Sequence, residues 1–80
     1  MVTLLYFASV REAVGTGSET IDLPDGIVTA GDLADWLAQR HATFADRLRL
    51  HVAIDQVIAG FDTAIGSARE IAFFPPVTGG

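Results

Sequence analysis

The 80-residue chain reads as an α+β domain built around one main helix, and three observations predict it. Short β-rich runs occupy both ends of the chain, one capped amphipathic stretch lies between them, and the length admits a single hydrophobic core. The order is strand, strand, helix, strands, strand, without internal repeat, low-complexity stretch or linker. Residues 1–80 are therefore expected to form one domain.

Residues 2–8 are apolar except for Thr3, which predicts a strand buried on both faces or covered by neighbours. Ser9 to Gly15 predicts one short helical turn, with Ser9 and Glu12 at capping-box spacing and Gly15 as its stop. Glu19-Thr20-Ile21-Asp22-Leu23 alternates polar and apolar, so a half-exposed strand antiparallel to the first is expected before the Pro24-Asp25-Gly26 turn. Thr29 is a good N-cap with Asp32 at the third helical position, and Asp32 and Asp35 suit the positive end of the helix dipole. Ala30, Leu33, Trp36 and Leu37 share one helical face, which makes Trp36 the largest core candidate; Arg40 suits the other end of the dipole.

Phe44 to Leu48 predicts a short helical piece ending at Arg49. His51 to Asp55 alternates as a strand, and Gln56-Val57-Ile58 resumes after a tight corner at Asp55-Gln56. Residues 61–65 are ambiguous, and Gly66-Ser67-Ala68 is a loop. Arg69 to Phe74 is the last strand, with Ile71 and Phe73 on one face and Ala72 and Phe74 on the other. Phe73 is assigned to the core and Phe74 to a partner surface.

Ten acidic against five basic side chains give a net charge of −5, which argues against a nucleic-acid footprint and for solubility or a basic partner. With no cysteine there is neither a disulfide framework nor a thiolate metal site, so any sulfur chemistry must use something other than a side-chain thiol. All five basic residues are arginine, so the chain offers no side-chain amine for acylation. An apolar fraction of 50% and a mean hydropathy of +0.40 are high for so small a domain; some apolar surface should stay exposed and meet a partner protein. The N-terminal apolar run lacks a basic flank and nothing approaches membrane-spanning length, so a cytoplasmic location is expected.

Catalytic constellations are missing. Gly15-Thr16-Gly17 lacks the third glycine and the lysine of a phosphate loop, and His41 and His51 have no carboxylate at metal-ligand spacing. Ser9, Ser18 and Ser67 lie in turn or cap contexts and assemble no nucleophile set. No metal or cofactor is expected on this chain, and no active site of its own.

The working part is expected at the end, Phe73-Phe74-Pro75-Pro76-Val77-Thr78-Gly79-Gly80. Two prolines forbid continuation of a central strand or helix, and β-branched Val77 and Thr78 favour extended geometry, giving a semi-rigid arm. Gly79 and Gly80 have no Cβ and can pass a slot that a side chain would block. The functional group at the tip is the α-carboxylate of Gly80, inert as an acyl donor until activated. A frayed, glycine-ended terminus is the plain alternative.

These residues resemble a known family. Leu5-Tyr6-Phe7-Ala8 with Arg11-Glu12 and Gly15, Leu33 and Leu37, Val52-Ala53-Ile54 with Gln56, and above all Glu70 through Gly80 are similar to the MoaD-type ubiquitin-like sulfur carriers, the small subunits of molybdopterin synthases. Thr78 and Asp55 stand where such carriers commonly have Ser and Asn, and Gly66-Ser67-Ala68-Arg69 replaces their acidic turn.

The resemblance implies a β-grasp fold, with the first and last strands adjacent in the middle of a mixed sheet and the helix across one face. It also implies that Gly80 is adenylated by an ATP-dependent activating enzyme resembling the ubiquitin E1 proteins and is then thiocarboxylated. Sulfur would pass to cyclic pyranopterin monophosphate in the large catalytic subunit, within a heterotetramer. ATP and zinc would belong to the activating enzyme. The partner-binding residues are then Phe7, Phe74, Pro75, Pro76, Val77 and Thr78, with Gly79 as the close-approach position. A carrier for thiamine or cysteine synthesis, or a ubiquitin-like protein modifier, remains the alternative.

Overall fold

The computed structural model describes residues 1–76; the expectations placed on Val77, Thr78, Gly79 and Gly80 lie outside the described residues. Strand β1 (Val2–Tyr6) alternates, with Val2, Leu4 and Tyr6 buried and Thr3 and Leu5 half-buried. Of the two expected arrangements, coverage by neighbours holds and burial on both faces does not: β1 is flanked by two other strands of the sheet, one face meets the helix and the other is half-buried. The strand is also shorter than residues 2–8. Phe7 is extended and caps helix α1 (Ala8–Val14), entered through Ala8 at φ 50°.

The Ser9–Glu12 capping box does not form, because Ser9 already lies inside α1 and the capping residue, Phe7, makes no side-chain cap bond. Gly15 closes α1 as expected; its φ of 93° is the left-handed geometry glycine adopts at little cost, and its N–H donates to the Arg11 carbonyl.

Strand β2 (Ser18–Ile21) runs antiparallel to β1, and helix α2 (Ala30–Ala38) follows the Asp25-Gly26 turn. The chain continues through two 3-10 turns (Ala42–Ala45 and Arg47–Arg49), the hairpin strands β3 (His51–Ile54) and β4 (Val57–Ala59), and finally β5 (Glu70–Phe74). The sheet order is β2-β1-β5-β3-β4. Central β1 and β5 are parallel, with Leu4 opposite Ile71 and Tyr6 opposite Phe73, and every other pairing is antiparallel. A parallel pair needs a long crossover, and all the chain between β1 and β5 serves as one. This is the β-grasp arrangement.

Helix α2 starts where the sequence places it. Thr29 Oγ1 accepts from the Asp32 N–H at 3.1 Å, and Asp32 Oδ2 accepts from the Thr29 and Val28 N–H groups, each at 3.0 Å. These two backbone donors hold the Asp32 carboxyl below the usual carboxylate range. The ambiguous stretch 61–65 supplies the rest: the Ala30 N–H donates to the Thr63 carbonyl and the Gly31 N–H to that of Phe61. A loop thus satisfies helix-end donors that would otherwise be orphans.

Ala30, Leu33, Ala34 and Leu37 of α2 pack on Leu4, Tyr6, Val52, Ile71 and Phe73 of the sheet. Each fully buried large side chain there contributes about 1.5–3 kcal/mol. Tyr6, Phe44 and Phe73 form the aromatic centre, with Phe44 edge-on to Phe73 at 5.2 Å and to Tyr6 at 5.8 Å. Trp36 is not the centrepiece that its size suggested. It is half-buried at the margin of the core, with the Arg40 guanidinium 4.6 Å over its ring. Phe44, carried in by the first 3-10 turn, takes the central place instead.

Candidate docking site at the root of the tail

Phe74 ends β5, and Pro75 has no N–H with which to continue the ladder. Strand alternation separates the two phenylalanines as expected: Phe73 is fully buried against the helix side, and Phe74 is half-buried on the opposite face. The register shows what accompanies Phe74 on that uncovered face. One row across the strands runs Leu5–Ala72–Ala53–Ile58. The next, nearer the tail, runs Phe7–Phe74–His51, with Phe7 one residue beyond the Tyr6–Phe73 pair and extended.

Together the two rows make an apolar platform. Ala53 and Ala72 are its small, closed floor, while Phe7 is 49% and Ile58 68% exposed. The His51 and Phe74 rings stack at 5.7 Å with planes 20° apart. An exposed apolar surface of this kind is a candidate protein interaction site.

On the other side of the tail root, Pro75 and Pro76 form one wall of an open groove of about 590 Å³, completed by Ser9, Ala42, Thr43, Asp46 and Arg49. Asp46 and Arg49 face each other at 3.8 Å, an exposed pair worth little to stability. Tyr6 lies on the reverse of the platform. Burial first, and then donation to Glu19 at 2.7 Å, push its phenol far above the ordinary tyrosine range.

The structure therefore brings four expected residues, Phe7, Phe74, Pro75 and Pro76, to one end of the sheet. Val77, Thr78, Gly79 and Gly80 follow directly in the chain, outside the described residues. Sequence reasoning missed Leu5, His51, Ala53, Ile58 and Ala72. The usable signal was the two-residue corner at Asp55-Gln56, which fixes Ile54 opposite Val57 and Ala53 opposite Ile58. Among the described residues no cluster of His, Asp or Glu could hold a metal ion, and no helix is long and apolar enough to cross a membrane.

Known proteins share this chain's sequence and fold. The molybdopterin synthase sulfur carrier subunit of Haemophilus influenzae is 40% identical over 83 residues, covering 100% of both chains. That of Mycobacterium tuberculosis is 38% identical over 81 residues, covering 99% of this chain and 96% of its own. Small archaeal modifier protein 1 of Haloferax volcanii is 35% identical over 83 residues, covering 92% of this chain and 94% of that protein. Its crystal structure superimposes with a TM-score of 0.74 at 28% identity over 99% of this chain and 98% of that one. With the ThiS family model matching residues 4–80, nearly the whole domain and the tail beyond it, the chain belongs to the ThiS family.

Proposed function

We propose that this chain is the sulfur-carrier subunit of a molybdopterin synthase, working in the cytoplasm. The observation that carries the reading is the apolar platform at the root of a tail ending in Gly79-Gly80. Phe7, Phe74 and Ile58 dock on the large catalytic subunit, which pairs with this chain in a heterotetramer. Pro75 and Pro76 hold the start of the tail stiff, and Val77 to Gly80 thread into the partner's active site. The relatives named as molybdopterin synthase sulfur carrier subunits support this reading over their full length.

The chemistry belongs to Gly80, because a cysteine-free chain has no thiol to carry sulfur. An E1-like enzyme joins the Gly80 carboxylate to the α-phosphate of ATP and releases pyrophosphate. Hydrosulfide-level sulfur then displaces AMP to leave a thiocarboxylate, whose sulfur goes to cyclic pyranopterin monophosphate as water restores the Gly80 carboxylate. The chain itself needs no bound cofactor in this scheme.

Mass spectrometry of the C-terminal peptide, purified from the native host, tests the reading. Fragment ions must place the added mass on Gly80, because exchanging oxygen for sulfur and oxidising Met1 change the intact mass almost equally. An intact peptide with an unmodified carboxylate, from cells actively making the cofactor, would overturn it. The likeness to an archaeal modifier protein favours a second reading, conjugation to other proteins, which predicts higher-mass adducts on denaturing gels. Capture of the synthase large subunit, rather than of a thiamine or cysteine enzyme, assigns the pathway.

A further inference from the structure

We propose that His51 is a positioning residue for the tail, holding Phe74 so that Phe74-Pro75-Pro76 leaves the sheet in one direction. The inference rests on the sulfur-carrier reading and adds a residue to it. Phe74 is the last residue of β5, and Pro75 ends the backbone ladder there. Beyond that point the tail root is oriented by what holds the Phe74 side chain on one side and by the groove that Pro75 and Pro76 line on the other. Among the described residues, the ring stacked on Phe74 is that of His51, its direct partner across β3 and β5. Phe7 flanks Phe74 on the other side through the β1–β5 register, so the Phe74 ring lies in a row with a neighbour on each side.

The position is chemically particular. His51 opens β3 and is exposed, and neither a hydrogen bond nor an ion pair anchors its ring among the described residues. Its ordered contact is the stack on Phe74. A buried aliphatic residue would serve the core, and a charged one would serve solvation; a flat ring on the solvent face serves the ring beside it. Small errors at a root are magnified at the tip of an arm, and misplacing a reacting atom is costly for transfer.

The test uses full-length chain carrying a chemically installed Gly80 thiocarboxylate, together with the purified large subunit and pterin substrate. Wild type, His51→Ala, His51→Thr and His51→Phe are compared for KM and kcat, with thermal unfolding as the folding control. His51→Ala and His51→Thr are expected to lower kcat about two- to ten-fold, the factor an aromatic pair's coupling corresponds to, while KM moves less. His51→Phe, which keeps a ring, restores it. Wild-type rates in folded His51→Thr, or failure of His51→Phe to rescue, overturn the positioning role alone. If wild type transfers no sulfur, the carrier reading falls and takes this inference with it.

Discussion

The N–H of Gly31 donates to the carbonyl oxygen of Phe61 at 2.7 Å, and a Cβ on Gly31 would lie 2.9 Å from that same oxygen. The start of α2 and the 61–65 loop are in contact at a distance only glycine permits. Replacing a helical glycine by alanine ordinarily stabilises by about 1 kcal/mol. Here the clash is with backbone, and forced overpacking costs about 1–3 kcal/mol, so the sign reverses. Gly31→Ala is expected to unfold at lower urea concentration than wild type. An unchanged or higher midpoint would show that the loop gives way freely.

Tyr6 gives an alkaline signature. Its folded phenol titrates above its unfolded value, so the neutral form favours the folded state; that stability is complete below about pH 10 and lost above it. Stability should fall by up to about 1.4 kcal/mol per pH unit beyond that point. The chain has one tyrosine and neither lysine nor cysteine, so tyrosinate absorbance reports this group alone. Tyr6→Phe should flatten the alkaline decline while costing about 0.5–1.5 kcal/mol at neutral pH through loss of the Glu19 bond. A variant with the wild-type alkaline slope would contradict the assignment.

The β3–β4 corner holds two non-glycine residues in left-handed geometry, Asp55 at φ 48° and Gln56 at φ 72°. Asp55 has compensation, since its Oδ1 accepts from the Arg69 and Glu70 N–H groups. Gln56 has none among the described hydrogen bonds. Gln56→Gly should therefore raise stability by about 1 kcal/mol, and Asp55→Ala should lower it by a similar amount or more. Chemical denaturation of both variants checks the contrast, and a Gln56→Gly variant less stable than wild type would refute it.

Val57 and Ile58 are each 68% exposed on the same short strand, but they point to opposite faces of the sheet. Ile58→Asp should weaken binding to the large subunit at least about tenfold by placing a charge in an apolar contact. Val57→Asp should change it less than about twofold, as surface substitutions away from a contact do. Titration calorimetry with both variants decides; equal losses would mean that the platform is not the docking face.

Much of this was legible in the sequence because local chemistry settled it. Thr29 and Asp32 announce α2 through a capping box that forms as written, and the alternation of Ile71, Ala72, Phe73 and Phe74 divides the last strand correctly between core and surface. What failed was long-range. Ser9 and Glu12 have capping spacing, but β1 ends at Tyr6 and the cap falls on Phe7, two residues before Ser9, so the helix already begins at Ala8. Trp36 has a core residue's spacing, yet Phe44 reaches the centre first from a 3-10 turn that no periodicity marks. His51 joins the site only through the pairing of β3 with β5, distant in sequence, and Ile58 is carried along by the local β3–β4 hairpin.

The parallel pairing of β1 with β5 also has a practical side. Both strands point toward Phe74, so the Met1 end lies a full strand away, about 15 Å by strand rise. A biotin or a sensor surface attached at that end would hold every molecule the same way round. No lysine is present to invite coupling elsewhere on the body. Captured so, the chain presents its two platform rows, with Pro75 and Pro76 beside them, to the solution, where a binding assay can read them.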